Sequence, residues 1–140
     1  MVFLSKPSLD DLNNLGKETM VTHLGIIFTG IGDDYLEASM PVDSRTKQPM
    51  GLLHGGANVI LAETLGSLAA SLTIVPEKQF VVGLEINANH LKSVREGKVI
   101  GTAKPIHLGK TTQVWEIKIK NTAGQLCCIS RLTMAILDKK

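Results

Sequence analysis

Residues 57–72 constrain this chain more than any other segment: they contain no proline and are dominated by Ala, Leu, Ile and Val. Asn58, Glu63, Thr64, Ser67 and Ser71 are the polar interruptions. Such a run reads as a helix that ends before Pro76, where a ring without an N–H stops helical pairing. Its apolar side chains cover most of the circumference, so the helix is expected to be largely buried. Burial on several sides needs a surface that curls, and the downstream sequence supplies strands. Residues 80–91 place Val82, Leu84, Ile86 and Ala88 on one face, and 98–106, 111–120 and 125–137 follow as further strands. In the third of these, Trp115, Ile117 and Ile119 alternate with Glu116, Lys118 and Lys120, the mark of an antiparallel sheet with one solvated face. Asn121-Thr122-Ala123-Gly124 has the chemistry of a hairpin turn.

Upstream, Ser8 is an N-cap candidate for a short amphipathic helix over 8–17, with Leu9, Leu12 and Leu15 on one side and Gly16 near its end. Two strands are expected at 25–31 and 35–42, joined by a turn at Gly32-Asp33-Asp34. A polar connection, 43–52, leads into the long helix. The order α-β-β-α-β-β-β-β predicts an α+β fold, with about six antiparallel strands curved around one central helix. A chain of 140 residues buries about two thirds of its unfolded surface without a metal or disulfide, so one domain over 1–140 is expected.

Charge narrows the partners. Fifteen basic and thirteen acidic residues are scattered along the chain, without the clustered cations of a nucleic-acid arm, so any bound anion is expected to be small. Cys127 and Cys128 are adjacent, which on a strand points them to opposite faces and rules out a shared bridge. They read as reduced packing residues. The first residues lack the apolar core of a signal peptide, and no apolar run approaches the ~20 residues of a membrane span. A cytoplasmic protein without a membrane partner is the expectation.

Glu63 lies in Val59-Ile60-Leu61-Ala62-Glu63-Thr64-Leu65. An ionised carboxylate in such surroundings loses several kcal/mol of solvation unless something compensates. It is either a catalytic group or a residue at the edge of the apolar stripe, reaching water or capped by Thr64 or Ser67. The helix start, Leu53-His54-Gly55-Gly56, favours catalysis. Glycines in a first turn let a ligand approach bare backbone N–H groups at the positive end of the helix dipole, where they can polarise a carbonyl. Gly55 and Glu63 are eight residues apart, about 12 Å along a helix. That is too far to act on one carbonyl from a single chain. A two-fold dimer with antiparallel helices would bring Gly55 of one chain opposite Glu63 of the other. Ser67, one turn beyond Glu63, could orient the carboxylate or a water.

The motif Gln48-Pro49-Met50-Gly51-Leu52-Leu53-His54-Gly55-Gly56 running on to Glu63, with Val82-Gly83-Leu84-Glu85, His107-Leu108-Gly109-Lys110 and Ser130-Arg131-Leu132-Thr133, resembles the hotdog-fold acyl-CoA thioesterases over nearly the whole chain. The resemblance implies hydrolysis of an acyl- or aryl-CoA thioester, 1,4-dihydroxy-2-naphthoyl-CoA or a similar aromatic acyl-CoA. It implies Glu63 as nucleophile or general base and the Gly55 N–H as the group that polarises the thioester carbonyl. Gln48 and His54 would position the acyl group and thiol. Ser67, where some relatives carry Thr, would support Glu63. Coenzyme A would lie against Gly83, His90-Leu91-Lys92-Ser93 and His107-Leu108-Gly109-Lys110-Thr111-Thr112, although Gly83 equally suits a strand bulge. No metal and no cofactor is implied, because CoA belongs to the substrate. The implied assembly is a homodimer, with a dimer of dimers expected.

Other readings of the same residues are a proofreading thioesterase acting on an aryl carrier protein, a dehydratase of the same fold, and a non-catalytic acyl-CoA binding module. A dehydratase of this fold carries a His-Phe-Pro type segment, which this sequence lacks. A sensing module would carry an added DNA-binding segment, and 140 residues leave no room for one.

Overall fold

The computed structural model describes residues 1–140. Six strands form one sheet: β1 (Ile27–Ile31), β2 (Leu36–Pro41), β3 (Gln79–His90), β4 (Lys98–Leu108), β5 (Thr112–Asn121) and β6 (Leu126–Asp138). Their spatial order is β1-β2-β4-β5-β6-β3, and each neighbouring pair is antiparallel. The curved sheet packs against the long helix α3 (Gly55–Ser71), which crosses five of its strands. Two short helices precede β1, α1 (Leu9–Leu15) and α2 (Met20–His23).

The alternation read in β5 is realised: Trp115, Ile117 and Ile119 are fully buried, while Lys118 and Lys120 face solvent. Trp115 stacks on Phe3 with ring centroids 6.3 Å apart, which ties the N-terminus to the sheet. Its indole N–H donates to Gln113 Oε1 at 2.9 Å, and Gln113 Nε2 donates to Thr73 Oγ1 at 2.7 Å. Both buried polar side chains are thereby paired, as burial requires. α3 sits so close to the sheet that a Cβ on Gly66 would lie 2.6 Å from Leu132 Cδ2.

The expected burial of α3 is largely met: Ala57, Asn58, Leu61, Ala62, Leu65, Ala69 and Ala70 face the sheet and are buried, whereas Glu63 on the opposite side is exposed. One sheet covers one stripe of a helix, and the apolar Ile60 and Leu68 on the other side are only half-buried. The adjacent cysteines are both fully buried and unbridged, as packing residues, although they do not follow simple strand alternation. The β5–β6 register jumps from Ile119↔Cys128 to Lys120↔Leu126. Cys127 is the extra residue of a bulge, where simple alternation fails.

Candidate active site

The first turn of α3 is shaped by one residue. His54 is the N-cap, and its Nδ1 accepts from the Gly56 N–H at 2.8 Å. Its carbonyl oxygen accepts from the N–H groups of Ala57 and Asn58 at 3.0 and 3.4 Å. A helix begins with four N–H groups that have no partner within it, and three of them are paired here, the His54 N–H on Thr46 O and those of Gly56 and Ala57 on His54. The fourth, on Gly55, has no hydrogen-bond partner. An unpaired amide at the positive end of a helix is a ready donor to a polarised carbonyl oxygen or an oxyanion.

The connection before α3 is held rigidly. Gly51, with φ +81°, turns the chain so that Gln48 N–H donates to Leu52 O at 2.8 Å. Gln48 Oε1 accepts from the Met50 N–H. Arg45 hydrogen-bonds the Asp43 carboxylate, holding its pKa down at about 2. His54 N–H then donates to Thr46 O at 2.8 Å, which registers the helix start on this loop. Gln48, Gly55, Asn58, His90, Lys92 and Ser93 border one pocket of about 340 Å³. The structure thus brings Gln48, Gly55 and the 90–93 segment together.

Glu63 lies elsewhere. With Thr64, Ser67 and Leu68 it forms one wall of an open apolar cleft of about 660 Å³, whose other wall is Leu12, Leu15, Met20 and Val21 of the N-terminal helices, with Phe28. Beside the cleft, Gly83 marks a bulge in β3, where the register shifts between Gly83 and Glu85. A Cβ on Gly83 would come within 2.9 Å of Glu63 Oε1, so the missing side chain makes room for the carboxylate. Ser67 Oγ lies 3.9 Å from Met134 Sδ rather than on the Glu63 carboxylate.

The segment 107–112 is not near His90 in the same chain. Leu108, Gly109, Lys110 and Thr111 border a separate pocket with Gln79 and Asp138. Thr112 pairs with Ala135, which pairs with Val82, eight residues and about 27 Å of strand from His90. Sequence reasoning missed two features of the site. One is α2, a single turn capped by Thr19 Oγ1 that walls the cleft. The other is the capping role of His54, which a histidine before two glycines does not announce.

Comparison with known proteins supplies the family. Residues 50–128 match the model of the thioesterase superfamily. The chain belongs to that superfamily. A 1,4-dihydroxy-2-naphthoyl-CoA hydrolase of Escherichia coli is 59% identical over 137 residues, 98% of this chain and 100% of that protein. A proofreading thioesterase of Cronobacter sakazakii is 53% identical, covering 98% of this chain and 99% of the relative. The crystal structure of a mutant thioesterase from Pseudomonas aeruginosa superposes with a TM-score of 0.98 at 48% identity, over 99% of this chain and 100% of that one. The architecture is the hotdog fold of these thioesterases, and this member of the superfamily is a thioester hydrolase. The matched residues include Gly55, Glu63, Gly83, His90 and the 107–112 segment, whereas Gln48 and the helices α1 and α2 precede them.

Proposed function

We propose that the chain hydrolyses an aromatic acyl-CoA, 1,4-dihydroxy-2-naphthoyl-CoA or a close analogue, at sites shared between the two subunits of a homodimer. The observation that carries this reading is the division of labour along α3. The unpaired Gly55 N–H and the Glu63 carboxylate lie about 12 Å apart on one helix, each beside its own pocket. β3 is a 12-residue edge strand with exposed Val82 and Leu84, and such an edge invites pairing with another strand. Antiparallel pairing of β3 with its own copy, about an axis between Gly83 and His90, brings the partner's Glu63 opposite Gly55. It also carries the partner's 107–112 loop to the 90–93 segment. One CoA can then be held by His90-Leu91-Lys92-Ser93 of one subunit and by Lys110 and its neighbours of the other.

In that site the Gly55 N–H donates to the thioester oxygen and makes the carbon electrophilic. Glu63 either attacks that carbon, forming an anhydride that water opens, or takes a proton from the attacking water. In both routes the C–S bond breaks, the sulfur leaves as a thiolate and takes a proton, and the acid is released. The apolar cleft under α1 and α2 suits a ring system. Gln48 borders the Gly55 pocket, where it can orient the thioester, and His54 acts through the first turn that its Nδ1 caps. We infer that a second dimer packs on the outer sheet face, and the exposed Ile106 there supports this. A soluble cytosolic setting follows from a CoA substrate, and no helix of the chain is long and apolar enough to cross a membrane.

The experiment is a kcat/KM comparison of 1,4-dihydroxy-2-naphthoyl-CoA, benzoyl-CoA, a medium-chain acyl-CoA and an aryl carrier protein thioester, read by thiol release. The aryl-CoA substrates are expected to lead. Preference for the carrier protein thioester, a close relative being a proofreading thioesterase, would instead assign the proofreading role.

A further inference from the structure

Asn58 is a polar side chain on the buried stripe of α3, 5% exposed among Ala57, Leu61, Ala62 and Leu65. Its Oδ1 has no hydrogen-bond partner, and a buried unpaired acceptor destabilises a fold. An apolar residue of similar size would pack against the sheet without that penalty. The amide therefore needs a reason outside packing, and its other end supplies one. Asn58 Nδ2 lies 3.5 Å from Nδ1 of His90. The His90 ring in turn covers Gly55 so closely that a Cβ there would stand 2.8 Å from Nε2. Asn58 follows Gly55 by three residues, on the same side of the helix. Amide, ring and unpaired N–H form one contiguous group bordering a single pocket.

We propose that Asn58 is a positioning residue of the thioester site, holding the His90 ring over Gly55 with its proton on Nε2. The inference rests on the reading that the Gly55 N–H polarises the thioester carbonyl. An NH2 group can only donate, so the His90 Nδ1 facing it accepts, and the neutral ring carries its hydrogen on Nε2. That N–H then stands beside the Gly55 amide as a second donor toward the bound thioester. The reverse arrangement, with Oδ1 toward a protonated Nδ1, would leave both amide hydrogens unpaired, whereas the arrangement seen leaves one hydrogen and Oδ1 unpaired.

Two measurements test the proposal. The 15N shifts of the His90 ring in the free wild-type enzyme should report the Nε2–H tautomer, and an Nδ1–H tautomer would overturn it. In kinetics, Asn58→Leu should lower kcat about tenfold with KM changed by less than about twofold, the signature of an interaction made in the transition state. In a His90→Ala background the same substitution should change kcat by less than about twofold, because the partner it acts on is gone. An equal loss in both backgrounds would show that Asn58 acts through the fold and not through His90, and no loss in either would equally end the proposal. The parent reading is tested separately by wild-type turnover of an aryl-CoA and its loss in Glu63→Gln. If that loss is seen while the Asn58 results are negative, only the positioning role fails.

Discussion

The Glu63 carboxylate rests over the bare backbone of Gly83, with Oε1 within 2.9 Å of where a Cβ on that glycine would sit. The contact joins the middle of α3 to the bulge of an edge strand. A methyl group there pushes the carboxylate aside while touching no buried side chain closer than Met134 Sδ at 3.9 Å. Gly83→Ala should therefore lower kcat by about 10²-fold, the usual consequence of moving a reacting group by an ångström. Thermal stability should change little. The check is steady-state thiol release beside a melting curve, and wild-type kcat in the variant would mean that Glu63 is not held by this contact.

Glu63 itself is exposed in the single chain and lines an apolar cleft. Replacing it by Gln keeps its size and removes both nucleophilicity and basicity. Glu63→Gln should cost about 10²–10⁴-fold in kcat. An exposed position changes stability by no more than about 0.5 kcal/mol, so the melting temperature should barely move. Activity within a few-fold of wild type, with CoA ester binding intact, would make the chain a binding module.

The two thiols give a prediction about pH. Burial, followed by the neighbouring Cys127, pushes the Cys128 thiol up from its ordinary 9.0 to about 11. At pH 8 the native thiol is protonated and shielded, so iodoacetamide should leave Cys128 unmodified until urea unfolds the chain. Because the folded pKa is raised, the stabilisation from keeping this thiol neutral is complete below pH 9. It is lost as pH rises from 9 toward 11, where the unfolded thiol ionises first. Urea midpoints measured from pH 8 to 11 should fall across that window, and a flat profile would contradict the assignment.

The legibility of the sequence followed periodicity. β5 could be read residue by residue, because Trp115, Ile117 and Ile119 alternate with charged neighbours and one face is solvated. Ser8 announced α1, and its side chain accepts from the Asp11 N–H in a capping box. The exposure of Glu63 was not legible. Residues Ile60 and Leu68 look like core in a one-dimensional pattern, yet they line a cleft whose far wall is built by α1 and α2. α2 has four residues and depends on the Thr19 cap, too short for any helical period to register. That Cys127 and Cys128 are both buried does not follow from two-residue alternation, because a bulge breaks it there. The grouping of Gln48, Gly55 and His90 comes from loop hydrogen bonds and strand register, which residue types alone do not encode.

The division of each site between two subunits can be tested without a structure of the dimer. Gly55→Ala brings a methyl group into the His90 ring and disturbs the carbonyl-binding amide, while Glu63→Gln removes the carboxylate. Each homodimer should be inactive. Unfolding and refolding an equal mixture should give heterodimers as half of the dimers. Each heterodimer pairs an intact Gly55 from one chain with an intact Glu63 from the other at one site, and both lesions fall at the second. With two equivalent sites per two-fold dimer, about a quarter of wild-type activity should return. If both groups acted from a single chain, every site in the mixture would carry one lesion and no activity would reappear. Recovery on mixing therefore measures whether the 12 Å that α3 sets between Gly55 and Glu63, at about 1.5 Å per residue, is bridged by the partner.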